Sequence, residues 1–151
     1  MKNVKFLLSA ALVFLASAAL AQDFSAPQYA KWGATPEERE QNILNSNFLK
    51  ESCDNRDYDA AAHYLKGLID KIPDAAESIY QRGAVVYKNK INRAKSVAEK
   101  NMFIDSLMLM YDMRAQYFGD NVKPGKTAFI LDQKAREFLR YKHNEIGRAH
   151  V

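Results

Sequence analysis

The sequence predicts an all-α fold, in which antiparallel helical hairpins follow an N-terminal export signal. Apolar residues recur at spacings of three and four over most of residues 36–141, which is typical of amphipathic helices. No run of alternating polar and apolar residues, which would indicate a half-buried strand, is present. The segments between the periodic stretches are short and contain proline, glycine, aspartate or asparagine. Helices joined by such short connections pack antiparallel to their neighbours.

Residues 1–21 have the composition of a secretory signal peptide. Two lysines precede an apolar stretch over residues 6–15, and small residues ending in Ala21 form an A-x-A cleavage site. We expect cleavage between Ala21 and Gln22, which sends the mature chain to the periplasm or out of the cell. No later stretch approaches the roughly 20 apolar residues that a transmembrane helix needs, so we expect no membrane span.

The last six residues, 146–151, match the translation of a common sequencing adapter read in frame. We therefore expect an adapter-derived tail and a natural helical domain, residues 35–145, that is truncated at its C-terminal end. Sequencing the gene through this point tests the expectation.

The charge of the chain does not indicate a nucleic-acid partner. The formal net charge of +4 includes Lys2, Lys5 and Arg148, and without these three it falls to about +1. About 120 mature residues suit a single domain with a modest core. The one cysteine, Cys53, excludes an internal disulfide, and its thiol is either buried or part of an intermolecular link.

Residues 22–34 contain a proline and a glycine without a sustained period, and they predict an extended leader. Tyr29 and Trp32 either pin this leader to the first helices or form an exposed aromatic contact for a ligand. A capping box at Thr35 and Glu38 predicts the start of the first helix, which then continues to about Cys53.

The second helix is predicted from a cap at Asp57 through Ile72, because Pro73 prevents helical geometry at the preceding residue. Asp74 and Glu77 form a second capping-box pattern, which predicts the start of the third helix.

Gly83 lies inside the third helix, where it indicates close approach of a neighbouring helix. The basic segment 87–95 predicts a polar turn near residues 89–92. The helix that follows ends at Phe118 and spans roughly 40 Å, with Gly119 as a left-handed C-terminal cap. A fifth helix is predicted from about Lys126.

Residues 57–86 carry a motif at the junction of the second and third helices. The motif is Ala61-x3-Leu65, then Pro73, then Ile79-x2-Arg82-Gly83-x2-Val86. It resembles the junction of two tetratricopeptide repeats (TPRs), A-x3-F, P, then W-x2-L-G-x2-Y, and the match covers about one and a half repeats. Residues 105–119 also resemble a stretch of exported TPR-type proteins from Gram-negative bacteria. The resemblance implies a short, irregular TPR-like solenoid and no catalytic chemistry.

In TPR proteins the first helix of each repeat lines a concave groove. Carried over position by position, the resemblance implies a partner-binding groove lined by Ile43, Ser46, Lys50, Glu77, Tyr80, Ala84, Tyr87 and Lys88. The clamp by which some TPR domains hold a peptide's terminal carboxylate is not reproduced, because Ser46 and Gln81 stand at two of its positions. The implied partner is therefore another envelope protein or an extended peptide, and not a chaperone tail.

Two further groups of residues leave alternatives open. A basic patch of Lys88, Lys90, Arg93 and Lys95 is either a surface for anionic lipid headgroups or acidic glycans, or a solvated turn. Four methionines, Met102, Met108, Met110 and Met113, are either soft ligands for copper or, as we favour, packing residues.

The sequence does not indicate a catalytic site. Cys53 and His63 could form a nucleophile and its general base, but no residues at a recognisable spacing would supply an oxyanion hole or an acid to orient the histidine. The sequence also contains no glycine-rich phosphate loop and no zinc-ligand spacing. Asp105 and Asp112 indicate helix surface or a partner for Arg114.

The sequence thus predicts a non-enzymatic periplasmic module for protein–protein interaction or scaffolding. The alternative is a small-ligand or metal-binding periplasmic protein. We assign no catalytic residue, metal ligand or cofactor, and no nucleic-acid partner.

Overall fold

The computed structural model describes residues 22–146, with side chains described up to residue 141. The predicted signal peptide and residues 147–151 of the predicted tail lie outside the described residues. Within residues 22–146 the fold is all-α and contains no strand, which confirms the prediction of an all-α fold. A 3₁₀-helix, Pro27–Trp32, is followed by α1 (Pro36–Asp54), α2 (Tyr58–Lys71), α3 (Glu77–Arg93), α4 (Val97–Phe118) and α5 (Lys126–Ile146).

The helices form two hairpins and a fifth helix. α1 packs on α2, and α3 packs on α4, with three-residue connections that force each pair to run antiparallel. α3 also contacts both helices of the first hairpin, whereas α5 packs along α4.

The buried side chains form two hydrophobic clusters that meet at α3 and α4. The first joins α1, α2, α3 and the C-terminal half of α4, and its fully buried members include Leu49, Leu65, Leu68, Ile79, Tyr80 and Val86. The second joins α3, α4 and α5 around Ile91, Ile104, Leu107, Ile130 and Tyr141. Because α3 and α4 contribute to both clusters, they hold the two halves of the domain together.

The leader was predicted to be extended, and this prediction is wrong. Its residues form a 3₁₀-helix with Pro27 in its first turn, and Trp32 packs against the first cluster. The Asn42 side-chain amide donates a 2.8 Å hydrogen bond to the carbonyl of Trp32, and the Arg39 guanidinium donates to the carbonyl of Gly33 at 2.9 Å. The leader is therefore held on α1 by both apolar and polar contacts.

The predicted caps of α1 and α2 are confirmed, but that of α3 is wrong. The Thr35 hydroxyl and the Glu38 carboxylate form the predicted capping box, and Asp57 accepts a hydrogen bond from the amide of Ala60. The N-terminal cap of α3 is Ala76, without a side-chain hydrogen bond, and not Asp74. The amide of Ala75 bonds instead to the carbonyl of Ile72, so a backbone turn occupies the place predicted for the first helical turn.

The predicted turn near residues 89–92 is also wrong, because α3 continues to Arg93 and the turn lies at residues 94–96. Ile91 is buried against α4 and extends the apolar face of α3 by one turn. The Asn89 side chain donates a hydrogen bond to the carbonyl of Val85, one turn earlier in α3. The helix therefore accommodates this polar residue without ending there. α4 accordingly has 22 residues and spans about 33 Å, shorter than predicted.

Two glycines have different outcomes. Gly83 allows the predicted close approach, since an ideal Cβ there would lie 2.6 Å from the Met110 Sδ and 3.1 Å from a Leu65 methyl carbon. Gly119 ends α4, but its φ of −87° is not left-handed, so the predicted cap geometry is wrong. Glycine is needed there because a Cβ would lie 2.2 Å from the Thr127 Oγ1 at the start of α5.

Candidate binding cleft

The residues of the predicted groove fall into a buried set and an accessible set. Ser46, Tyr80 and Ala84 are buried, and the side chain of Tyr80 is only 1% exposed. The Tyr80 hydroxyl donates a 2.7 Å hydrogen bond to the carbonyl of Pro73, and its ring packs beside Tyr117. Burial raises the pKa of Tyr80 well above its ordinary value. These three side chains pack the domain and offer no surface to a partner.

The accessible predicted residues are distributed over α1 and α3. Lys50 is exposed and forms an ion pair with Asp54 at 2.7 Å, and Ile43 is half-buried on the same helix. Tyr87 is half-buried with its ring centre 6.5 Å from that of Phe103. Glu77 and Lys88 lie at opposite ends of the face of α3 that turns toward α5.

Glu77 joins three helices through its carboxylate. Its Oε1 accepts a 2.9 Å hydrogen bond from the Nε of Arg114 on α4, and its Oε2 accepts from the Nζ of Lys126 on α5 at 2.6 Å. A second guanidinium nitrogen of Arg114 donates to Gln133 at 2.9 Å. Burial opposes ionisation of Glu77, but the hydrogen bonds from Lys126 and Arg114 outweigh it and lower the pKa of the carboxyl.

Lys88 opens onto a cleft between α3 and α5. We call this space, of about 220 Å³, the α3–α5 cleft. Its lining residues are Lys88, Tyr111, Gln133, Arg136, Glu137 and Arg140. Lys88 forms an ion pair with the largely buried carboxylate of Glu137, and Arg140 lies 3.6 Å from the same carboxylate. Both arginine side chains are more than half exposed, so the mouth of the cleft is basic.

Lys88 keeps its positive charge near neutral pH. Burial alone would lower the pKa of Lys88, but its contacts with Glu137 and Tyr111 outweigh burial and raise it. Burial raises the pKa of Tyr141, which packs below the cleft in the second cluster. The Glu137 Oε2 is buried and accepts no hydrogen bond from the described residues, although the Arg140 guanidinium lies 3.6 Å from it.

Comparison with known proteins identified no relative of this chain. No family model, curated protein or solved structure matches the chain.

The four lysine and arginine residues of the predicted basic patch point in different directions. Lys88 turns toward α5, whereas Lys90 pairs with Asp59 of α2 and lies 5.3 Å from the centre of the Phe103 ring. That ion pair lowers the pKa of Asp59. Arg93 stacks over Tyr58 at 5.0 Å, and Lys95 is exposed. The charges of Lys88 and Lys90 are thus matched by carboxylates.

The residues considered for metal or nucleophile chemistry are dispersed. Met110 belongs to the first cluster, Met108 to the second, and Met102 is exposed. Among residues 22–141, no group of three or more histidine, cysteine, aspartate or glutamate side chains is placed to hold a metal ion.

Cys53 is a half-buried free thiol whose pKa is raised by burial. A raised pKa keeps it protonated and unreactive near neutral pH. Asp112 forms an ion pair with Lys134 of α5, and Arg114, the partner considered for it in the sequence, pairs with Glu77 instead. No helix in the described part of the chain is both long and apolar enough to cross a bilayer.

The side chains that α5 gives to the cleft, Gln133, Arg136, Glu137 and Arg140, were not predicted. A signal for them exists, because these residues fill one polar face of α5 at spacings of three and four, beside the buried Ile130 and Tyr141. Helical periodicity does not show that this face meets α3, because the contacts between them join residues about 50 positions apart.

Proposed function

We propose that this chain is a non-enzymatic, TPR-like module that binds another envelope protein or an extended peptide. One observation carries the proposal: α3 packs against both helices of the preceding hairpin, as it would in a stack of hairpins, and α5 packs along α4. Stacked hairpins of this kind present the first helix of each pair along one shared face. In such a stack α1, α3 and α5 would be those helices.

The partner would lie along this face and enter the α3–α5 cleft. Lys50 of α1 and Arg136 and Arg140 of α5 are exposed and would be the groups that it meets. The basic mouth of the cleft favours a segment that brings carboxylates or backbone carbonyls to the two guanidinium groups. The signal-peptide pattern of the first 21 residues supports a periplasmic or secreted place of action.

Site-specific photo-crosslinking in a periplasmic extract tests the proposal. A photoreactive amino acid is placed at Arg140, at the mouth of the cleft, and in a second chain at Lys66, an exposed residue of α2 outside the predicted face. We expect one discrete adduct from position 140 and none from position 66. Equal labelling from both positions, or adducts from neither, would contradict a groove-binding module.

A second variant links the adduct to the groove. Arg136→Ala removes an exposed guanidinium of the cleft, whose ion pair with Asp132 is local to α5, so the fold should be unchanged. We expect this substitution to weaken crosslinking from position 140, while Lys66→Ala leaves it unaltered. Circular dichroism and thermal melting of both variants establish that the fold is intact.

A small-ligand function has one observation in its favour. A space of about 440 Å³ lies between the end of the leader, α1 and the end of α2, and its lining residues are Gly33, Ala34, Glu38, Gln41, Asn42, Lys71 and Ile72. Its volume suits a small polar ligand. A library of polar metabolites that raises the melting temperature without any protein partner would favour this function over the module.

A further inference from the structure

α5 carries an apolar stripe on the side that faces away from the domain core. Ala128, Leu131, Ala135, Phe138 and Leu139 recur at spacings of three and four, and all five are exposed. Ile130 and Tyr141, on another face, are the α5 residues buried in the second cluster. A continuous exposed stripe of this kind, with leucine and phenylalanine, is typical of an interaction surface.

The spacing of the stripe is symmetric about Ala135. Leu131 lies four residues before it and Leu139 four residues after it, each about one helical turn or 6 Å away. Consider the α5 of a second copy that runs antiparallel to this helix, with the two Ala135 residues opposite each other. Leu131 of each copy would then lie against Leu139 of the other. The small alanine at the centre lets the two helix backbones approach closely.

The charges along one edge of the stripe have the same symmetry. Asp132 and Arg136 lie four residues apart on this edge, both are more than half exposed, and they form an ion pair within the chain. Reversal about Ala135 sets Arg136 of the second copy level with position 134, about 3 Å from Asp132 along the helix axis. Each Asp132 would therefore meet Arg136 of the other copy as well, an arrangement that parallel packing does not give.

The opposite edge adds no repulsion to this arrangement. Lys134 lies there, and its charge is matched within the same chain by Asp112 of α4. Arg136 also lines the α3–α5 cleft, so the dimer contact and the cleft would share this side chain.

We propose that the α5 stripe is a homodimer interface, in which two copies of this chain pair antiparallel about Ala135. The occupant of the stripe is a second copy because both its apolar spacing and its charge row are complementary to themselves under a two-fold rotation.

Sedimentation equilibrium of the purified full chain tests the proposal. We expect a dimer whose association constant falls at least about tenfold on Leu139→Glu, since this change puts a charge at an apolar contact. The matched control is Val97→Glu at the start of α4, because Val97 is 69% exposed and Leu139 is 65% exposed. A monomer at every concentration, or a dimer that Leu139→Glu does not weaken, would overturn the proposal and assign the stripe to another protein or to a further helix.

Cysteine crosslinking tests the antiparallel register. In a Cys53→Ser background, one chain carries Leu131→Cys and another carries Leu139→Cys. We expect oxidation to give a covalent dimer in the mixture and little in either chain alone, because like positions would lie about 12 Å apart along the axis. Crosslinking of each chain with itself, but not in the mixture, would overturn the antiparallel arrangement.

The charge row supplies an independent arm. Asp132→Arg gives two cations on this edge, whereas Arg136→Asp gives two anions. We expect each of these variants to associate poorly with itself and the two to form a mixed dimer at least as readily as the wild type, more so at low salt. Unimpaired self-association of both would overturn the assigned edge contacts.

Discussion

Replacing Glu77 with alanine removes the carboxylate that joins α3 to α4 and α5. The side chains of this group are mostly buried: Arg114 is 11% exposed, Lys126 is 20% exposed and Glu77 is 24% exposed. Exposed ion pairs contribute about 0–1 kcal/mol, whereas breaking a buried pair costs about 3–5 kcal/mol. For this partly buried network we expect the free energy of unfolding to fall by about 2–3 kcal/mol, which corresponds to roughly 10 °C in melting temperature.

Urea unfolding, followed by circular dichroism, measures this cost. The control is Glu40→Ala, at an exposed position of α1, which we expect to change the free energy of unfolding by less than about 0.5 kcal/mol. A double-mutant cycle with Lys126→Met isolates the contribution of the α3–α5 pair. If Glu77→Ala costs no more than Glu40→Ala, or if Lys126→Met costs the same with and without Glu77, the network does not hold α5 in place.

The effect of Glu77 also depends on pH in a defined direction. Its pKa is lower in the folded chain than the ordinary value of 4.5. Its contribution to stability is therefore fully present above that value, and it is lost as the pH falls from about 4.5 through the folded-state pKa. The difference in unfolding free energy between the wild type and Glu77→Gln should be constant from neutral pH to about pH 5 and shrink below it. A difference that grows on acidification would contradict the assigned direction.

Three further substitutions test the packing and the caps by the same unfolding assay. Gly83→Ala should leave the protein about 1–3 kcal/mol less stable than Gly67→Ala, because both gain the same helix propensity but only the first new Cβ meets Met110 and Leu65; equal effects would contradict the close approach. Thr35→Ala should cost about 1 kcal/mol by removing a cap, whereas Asp74→Ala should be near neutral because Asp74 caps nothing. Tyr80→Phe should cost about 1 kcal/mol through the lost bond to a backbone carbonyl, and an unchanged melting temperature would show that bond to be unimportant.

The elements of the fold that depend on neighbouring residues were predictable. The spacing of apolar residues predicted the five α-helices. The caps at Thr35 and Asp57 were predictable as well, because a cap is a local contact in which the side chain accepts a hydrogen bond from the amide three residues ahead. Asp74 has the same pattern, but the backbone turn after Pro73 takes its place, and α3 starts at Glu77. The polar segment after Tyr87 stays helical because α4 covers Ile91.

The candidate site was less predictable because it depends on the register between helices. The position of Tyr80 in an assumed repeat placed it in a groove, whereas its ring fills the first cluster and its hydroxyl is bonded inside the domain. Lys88 was identified, but its cleft is formed with Glu137 and Arg140, about 50 residues away. Helical periodicity gives the faces of one helix and not the neighbour that each face meets.

The attachment of α5 has a consequence for the motion of the domain. Of its residues 126–141, two apolar side chains, Ile130 and Tyr141, enter the core, and ion pairs to Glu77, Lys88 and Asp112 supply much of the remaining attachment. Such contacts weaken as ionic strength rises, whereas the apolar contacts of α1–α4 do not. In hydrogen exchange, the α5 amides should therefore open more often as salt is added while those of α1–α4 keep their protection, so that α5 behaves as a separate opening unit controlled by the ions around it.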